Sequence, residues 1–538
     1  MATVIVVGAG AGGIATAARL AQQGFQVKVV EKHSFVGGRC SIISKDGYAC
    51  IDIPHPRFDQ GPSLLLMREI FEETFQDLGT SLEQENVNLV KCEPNYCVWF
   101  ADKEIIELST DLSRLKVQIE RHEGPNGFPR FCAFLNEAGT HYNLSLSHVL
   151  RRNFPHLLSM LRLDVLKSLI PMHPWTSTYS RVARYLYSEK MRRAWTFGSM
   201  YLGMSPYRAP GTYSLLQYIE TVDGIWYPKG GFQTVLKALA DIGQQSGVEY
   251  LLNTPTESII LDDSGRIAKG IRLESGEELH ADLIVINADL VYAYNELLPQ
   301  NRRSRNLKNR PASCSSISFF WAFDEKLPQL RAHNIFLAEQ YRESFDAIFE
   351  DHRIPDEPSF YVNVPSKLDP TAAPSDKEAV VVLVPVGHLD PGNRERLDEH
   401  RWDTLVAETR EIVLDTIEAR TRIRGLRSRL VHEMVETPLT WEKKFNLNRG
   451  AILGLSHSFF NVLSFRPRTK HPDIERLYFV GASTHPGTGV PVCLAGSKLV
   501  TEEIVQGWNK GVERRSQIGL ILAVLMALLV LLISLLRK

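Results

Sequence analysis

At 538 residues the chain is too long for one ordinary compact domain and suits two or three, enough to enclose a large ligand. Hydrophobic residues make up 44% and charged residues 23%, and the formal net charge of −1 offers no single-sign field, which argues against nucleic acid as a partner. The seven cysteines (Cys40, Cys50, Cys92, Cys97, Cys132, Cys314 and Cys493) are scattered and show no metal-ligand spacing, so the bulk of the chain reads as reduced, cytosolic and without a metal site.

The N-terminal apolar run Val4 to Val7 lacks the basic region of a signal peptide and enters a glycine-rich loop, so it reads as a buried strand. A helical pattern follows from Ile14 to Gln23, Gly24 ends it, and a second apolar run spans Val27 to Val30, which makes one βαβ unit. The loop Gly8-Ala9-Gly10-Ala11-Gly12-Gly13 satisfies G-x-G-x-x-G between strand and helix. In this pattern Gly8 permits the turn, Gly10 lets backbone approach a pyrophosphate, and Gly13 lets helix and strand pack closely. The helix N-terminus then favours the phosphates. Glu31, at the end of the second strand, is placed to accept hydrogen bonds from a ribose diol, and Lys32 follows it. The continuation to Gly37-Gly38-Arg39 allows backbone to lie against a flat ligand, with a guanidinium at hand for phosphate or ring.

Residues 82–227 carry long helical patterns and aromatics such as Trp195, Phe197, Tyr201 and Trp226, as expected of a helical substrate-covering region. An α/β pattern resumes near Gly230, with a helix from Phe232 to Gln245, a hairpin across Asp263-Ser264-Gly265 and a strand from Leu283 to Ile286. Residues 311–450 hold strand-like runs between Pro-rich and charged loops and read as an α+β substrate region. A last strand, Leu477 to Val480, leads through Gly481 into a helical stretch from Val490 to Gln506. Residues 1–81, 228–310 and 451–510 are thus expected to form one discontinuous dinucleotide-binding domain of α/β, Rossmann-like class. From Ile518 to Leu536 the chain has 19 residues without a charge, flanked by Arg514-Arg515 and Arg537-Lys538. That length suits a bilayer span, and a span so near the C-terminus predicts a tail anchor in the endoplasmic reticulum or another lipid-associated membrane, with the globular part on the cytosolic side.

The run from Glu31 to Arg39 resembles the extended FAD fingerprint of flavoprotein oxidases and desaturases. Four further segments are similar to the phytoene desaturase family of the bacterial and fungal type, above all its fungal branch. They are Phe58-Asp59-Gln60-Gly61-Pro62-Ser63, Gly224 to Gly231, Asn287-Ala288-Asp289, and Gly481-Ala482-Ser483-Thr484-His485-Pro486-Gly487-Thr488-Gly489-Val490-Pro491. Ser483 stands where the family usually has glycine. The resemblance implies a glutathione-reductase-like fold with FAD as cofactor. It adds Gly61, Pro62, Ser63, Gly481, Ala482, Gly489, Val490 and Pro491 to the cofactor residues read from the loop. It also implies a lipid-soluble polyisoprenoid substrate, oxidised by hydride transfer to flavin with formation of conjugated double bonds. His485 and His148 are candidates for proton transfer, neither assigned. A flavin oxidase of another lipophilic metabolite and a non-enzymatic isoprenoid-binding escort protein are the alternative readings.

Overall fold

The computed structural model describes residues 2–44, 57–390 and 399–510. The expected span from Ile518 to Leu536 lies outside them, and among the described residues no helix is long and apolar enough to cross a membrane.

Five parallel strands form the first sheet, in the order Leu477–Phe479, Leu283–Ile286, Thr3–Val7, Gln26–Val30 and Glu249–Leu251. Val4, Ile5, Val6 and Val7 are all buried, the pattern of a parallel strand covered on both faces. Helix Ala11–Gln22 packs on this sheet and against helix Gln233–Gln245, and its buried positions include Ile14, Ala17, Ala18 and Leu20. A Cβ at Gly13 would lie 2.2 Å from the Gly8 carbonyl oxygen, so only glycine lets the helix start this close to the strand. A three-stranded antiparallel sheet, Thr256–Leu261, Ala268–Leu273 and Glu278–His280, stands beside it. Its first hairpin closes at Asp262, whose carboxylate accepts the backbone amides of Arg266 and Ile267, both at 2.9 Å.

The larger sheet has seven strands, in the order Leu430–Glu436, Ser315–Phe323, Glu378–Val386, Phe360–Asn363, His333–Phe336, Tyr96–Trp99 and Ile105–Leu108. Its last two strands come from the stretch whose aromatics and helical patterns predict helices. Tyr96-Cys97-Val98-Trp99 is a β-branched and aromatic run that pairs in parallel with His333–Phe336, and long-range pairing decides its conformation. Helices follow, chiefly Leu112–Glu123, Gly127–Ser145 and Leu163–Met172. Strand Ser315–Phe323, second in that order, alternates between two buried surfaces. Ile317, Phe319, Trp321 and Phe323 pack with Val380, Val382 and Val384 and with Val413 and Ile417 of helix Glu399–Thr421. Ser316 and Ser318 face the other way, into a cavity that Leu383 and Pro385 also line. This sheet is therefore the floor of the cavity, the helical region covers it, and the parallel sheet closes its end.

Candidate active site

A cavity of about 770 Å³ runs from the glycine-rich loop to the helical region. At one end Gly8, Gly10, Ala11, Gly12, Glu31, Lys32, Gly38 and Arg39 line it, together with Gly61, Pro62 and Ser63. Gly481, Ala482, Gly489, Val490 and Pro491 complete that end. Of the residues expected to touch the cofactor, Ala9 and Gly13 alone do not line the wall. Ala9 is buried beneath it, and its amide donates to Glu31 Oε2 at 2.8 Å. The His33 amide donates to Glu31 Oε1 at 2.9 Å, so the carboxylate is held from both sides of the strand end, and burial raises its pKa.

The loop geometry fits a flavin dinucleotide. Gly10 stands at the head of helix Ala11–Gln22 without any side-chain cap, which leaves the first helical amides for a ligand. A Cβ at Gly10 would lie 2.7 Å from Asn287 Oδ1, a buried oxygen with no hydrogen-bond partner of its own. Asn287 Nδ2 meanwhile donates to the Val480 carbonyl at 2.8 Å, tying three strand ends together at the loop. Gly61 must be glycine for a similar reason, since its Cβ would meet the Arg39 carbonyl oxygen at 2.4 Å. The Arg39 guanidinium donates to the Ile452 carbonyl, which holds its chain across the cavity wall.

The segment from Gly481 to Pro491 is held from below by Arg466, which is 2% exposed. Its guanidinium donates to the carbonyls of Asn461 (2.8 Å), Ser456 (3.2 Å) and Thr484 (3.2 Å), and also to those of Leu455 and Ala482. Burial lowers its pKa to about 10. The amide of Thr488 donates to His457 Nε2 at 3.1 Å. Ser483 is accommodated because its hydroxyl accepts the Leu455 amide at 3.1 Å and packs on Gly454, where any Cβ would lie 2.3 Å from that hydroxyl. Neither Arg466 nor His457 stands out in the sequence, because each acts on residues brought near it only by folding.

His485 does not line the cavity. Its Nε2 donates to the Arg152 carbonyl at 2.7 Å, and burial lowers its pKa to about 4, so the ring is a neutral structural donor. His148 does line the cavity, 3.8 Å from Asp164. Among the aromatics, Phe197 and Tyr201 face the cavity. Trp195 is buried against Phe131, ring centroids 4.6 Å apart, and Trp226 lies under the Arg68 guanidinium. Glu137, His141 and His173 approach one another within 4.8 Å. Glu137 is nevertheless engaged by Arg181 and Tyr185, and His141 by Ser214 and the Pro171 carbonyl.

Beyond Phe197 and Tyr201 the wall is mainly apolar, with Leu146, Val149, Met160, Leu169, Leu215 and Leu216, interrupted by Ser145, His148 and Ser168. Such a lining suits a hydrocarbon and leaves few polar groups to grip anything else.

Residues 11–505 match the family described as flavin containing amine oxidoreductase. The chain is 53% identical over 517 residues to a phytoene desaturase of Fusarium fujikuroi, covering 94% of this chain and 89% of the relative. It is 53% identical over 537 residues to a phytoene desaturase of Neurospora crassa, covering 96% and 88%. Among solved structures, an oxidoreductase from Methanosarcina mazei superposes with a TM-score of 0.62 at 17% identity, covering 93% of this chain and 100% of that one, a likeness of fold.

Proposed function

The chain belongs to the phytoene desaturase family of flavin-containing amine oxidoreductases, and from this premise we infer that it is an FAD-dependent carotenoid desaturase acting on phytoene. The observation that carries the reading is the single cavity whose one end is a glycine-rich dinucleotide cradle and whose other end is apolar.

Bound FAD would supply a hydride acceptor, which a substrate without carbonyl, hydroxyl or charge requires. The helix start at Gly10 to Gly12 and the Glu31 carboxylate would hold the pyrophosphate and ribose. Gly61 to Ser63 and Gly481 to Pro491 would hold the ring from two sides of the cavity. The apolar wall aligns the polyene chain and excludes water. Anaerobic addition of phytoene in liposomes to the FAD-loaded protein should bleach the flavin absorbance and yield a product with a longer conjugated system. A protein that binds FAD but leaves phytoene unchanged would overturn the reading.

The membrane is its second partner. The 19 uncharged residues from Ile518 support a tail anchor on the cytosolic face of the endoplasmic reticulum or a similar membrane. A second contact is supported by the segment at the cavity mouth. Leu158, Leu163 and Ile170 are 74%, 75% and 72% exposed, while Met160, Val165 and Leu169 between them line the cavity. Apolar surface of this kind marks a lipid or protein contact, and Arg151, Arg162 and Lys167 in the same stretch suit anionic headgroups. A chain ending at Gln517 should leave the membrane pellet after a carbonate wash and keep its FAD. Retention in the pellet would show that the tail is not the principal anchor.

A further inference from the structure

A hydrogen-bonded chain leads from the cavity wall through two tyrosines to a buried carboxyl. Tyr201, in the turn Phe197–Leu202, is half-buried and lines the cavity. Its hydroxyl donates to the hydroxyl of Tyr96, which is fully buried in strand Tyr96–Trp99. Tyr96 in turn donates to Glu220 Oε1 at 3.1 Å. Both hydrogen bonds point from the cavity toward the carboxylate.

Glu220 lies in the helical turn Ile219–Asp223 and is 4% exposed. Among the described residues no Lys, Arg or His forms an ion pair with it. A Cβ at Gly198 would stand 3.0 Å from Gln217 Nε2 and 3.8 Å from Glu220 Oε1, so the carboxyl is enclosed by the turn that carries Tyr201 and by its own helix. A buried carboxyl without a cation is costly, and a packing role would be served as well by glutamine. Burial also raises its pKa to about 8, which makes it a base of useful strength near neutral pH. The titratable groups facing it are Tyr96 and, behind that, Tyr201 and Tyr361. Tyr361 is held by His333 Nδ1 at 2.7 Å, and burial keeps that histidine neutral.

The cavity end of this chain is close to the cofactor segment. Ser63, which follows Gly61 and Pro62 in the wall, stands beside the Tyr361 hydroxyl. At the other end of the turn, Gly203 packs on Ser313 and Leu453, next to the carbonyl of Ile452 that Arg39 engages.

Resting on the desaturase reading, we propose that Tyr201, Tyr96 and Glu220 form the proton path of the reaction. One substrate carbon would lose a hydride, with its electron pair, to bound FAD. The neighbouring carbon loses a proton to the Tyr201 oxygen, and its C–H electron pair becomes the new π bond. Tyr201 passes its own proton to Tyr96, and Tyr96 passes its own to the Glu220 carboxylate. The reaction would thus convert a CH–CH unit, oxidised flavin and a carboxylate into a double bond, two-electron-reduced flavin and a carboxylic acid. After the product has left, the same path would return the proton to water in the emptied cavity and reset the Glu220 carboxylate. Tyr201 is the catalytic residue here, and Tyr96 and Glu220 act through it.

The test is single-turnover flavin reduction by phytoene in liposomes, followed by stopped-flow absorbance across pH, with infrared titration of the flavin-free protein alongside. In the wild type the rate should rise with pH through about 8 as Glu220 ionises, and a carboxylic C=O band should disappear over the same range. Glu220→Gln should keep FAD and phytoene binding, lose the band and the pH step, and slow reduction about a hundredfold. Tyr201→Phe should slow it similarly while keeping the infrared band, and Glu220→Asp should restore part of the rate. Should Glu220→Gln fail to fold, Tyr201→Phe and Tyr96→Phe carry the test. Unchanged reduction rates in the tyrosine variants, or an unchanged pH step in Glu220→Gln, would overturn the relay. If the wild type itself showed no flavin reduction, the desaturase reading would fail instead.

Discussion

At the dinucleotide end of the cavity the wall is backbone, whereas at the hydrocarbon end it is side chain. At Gly8, Gly10, Gly13 and Gly61 the chain approaches itself so closely that a single Cβ would collide with a carbonyl or amide oxygen 2.2 to 3.0 Å away. Along the helical cover, leucines, methionines and aromatics from many separate elements share the wall, and each contributes area rather than a defined contact. The first kind of wall tolerates no added atom and binds a ligand of fixed shape. The second kind tolerates exchange among residues of similar volume and suits a flexible chain.

The sharpest way to break the contrast is at Gly10. Gly10→Val places its side chain against Asn287 Oδ1 and into the pyrophosphate position, so purified protein should carry no FAD absorbance while keeping its far-UV circular dichroism. Normal flavin content in the folded variant would show that the loop is not the cradle. Arg466→Met comes next, because it strips the shared donor from five carbonyls, four of them buried, beneath the Gly481 segment. We expect a stability loss of about 3 kcal/mol or more, read as a lower melting temperature of the flavin-free protein. Glu31→Ala should weaken FAD by roughly 10- to 100-fold, the worth of a charge-assisted hydrogen bond. Equilibrium titration of the apoprotein measures it, and an unchanged affinity would make Glu31 purely a strut for the amides of Ala9 and His33.

The smallest effect is expected at His485. Burial holds its pKa at about 4, below the ordinary value near 6.5, so the unfolded chain binds the extra proton between those values. Its contribution to stability is therefore complete above pH 6.5, where the variants above are compared, and is lost only as pH falls toward 4. His485→Asn should flatten that part of the acid denaturation curve and leave the pH profile of flavin reduction unchanged. A shift in the kinetic profile would return His485 to the chemistry.

These experiments also separate what was legible in the chain from what was not. The spacing of Gly8, Gly10, Gly13 and Glu31 announces the cradle because its demands are local. A turn, a helix start and a strand end are each specified within a few residues. The chain order Leu477 to Val480, Gly481, Val490 shows a strand, turn and helix for the same reason. Trp195 and Tyr201, by contrast, look alike in sequence, yet one is core against Phe131 and the other faces the cavity. The strands Tyr96–Trp99 and Ile105–Leu108 precede a helical stretch but belong to a sheet whose other members begin beyond residue 300.

By itself, then, the sequence determined the βαβ start, the fingerprint through Arg39, the signature from Gly481 to Pro491 and an uncharged 19-residue stretch near the C-terminus. Tertiary structure alone decided that Arg466 underpins the signature and that Ser483 is matched by Gly454. It also decided that Tyr201, Tyr96 and Glu220 meet across separations of 105 and 124 residues. The physical reason is that a glycine's steric demand is written into the positions beside it. A hydrogen bond between distant residues exists only once the packing of whole sheets and helices has repaid the entropy of bringing them together.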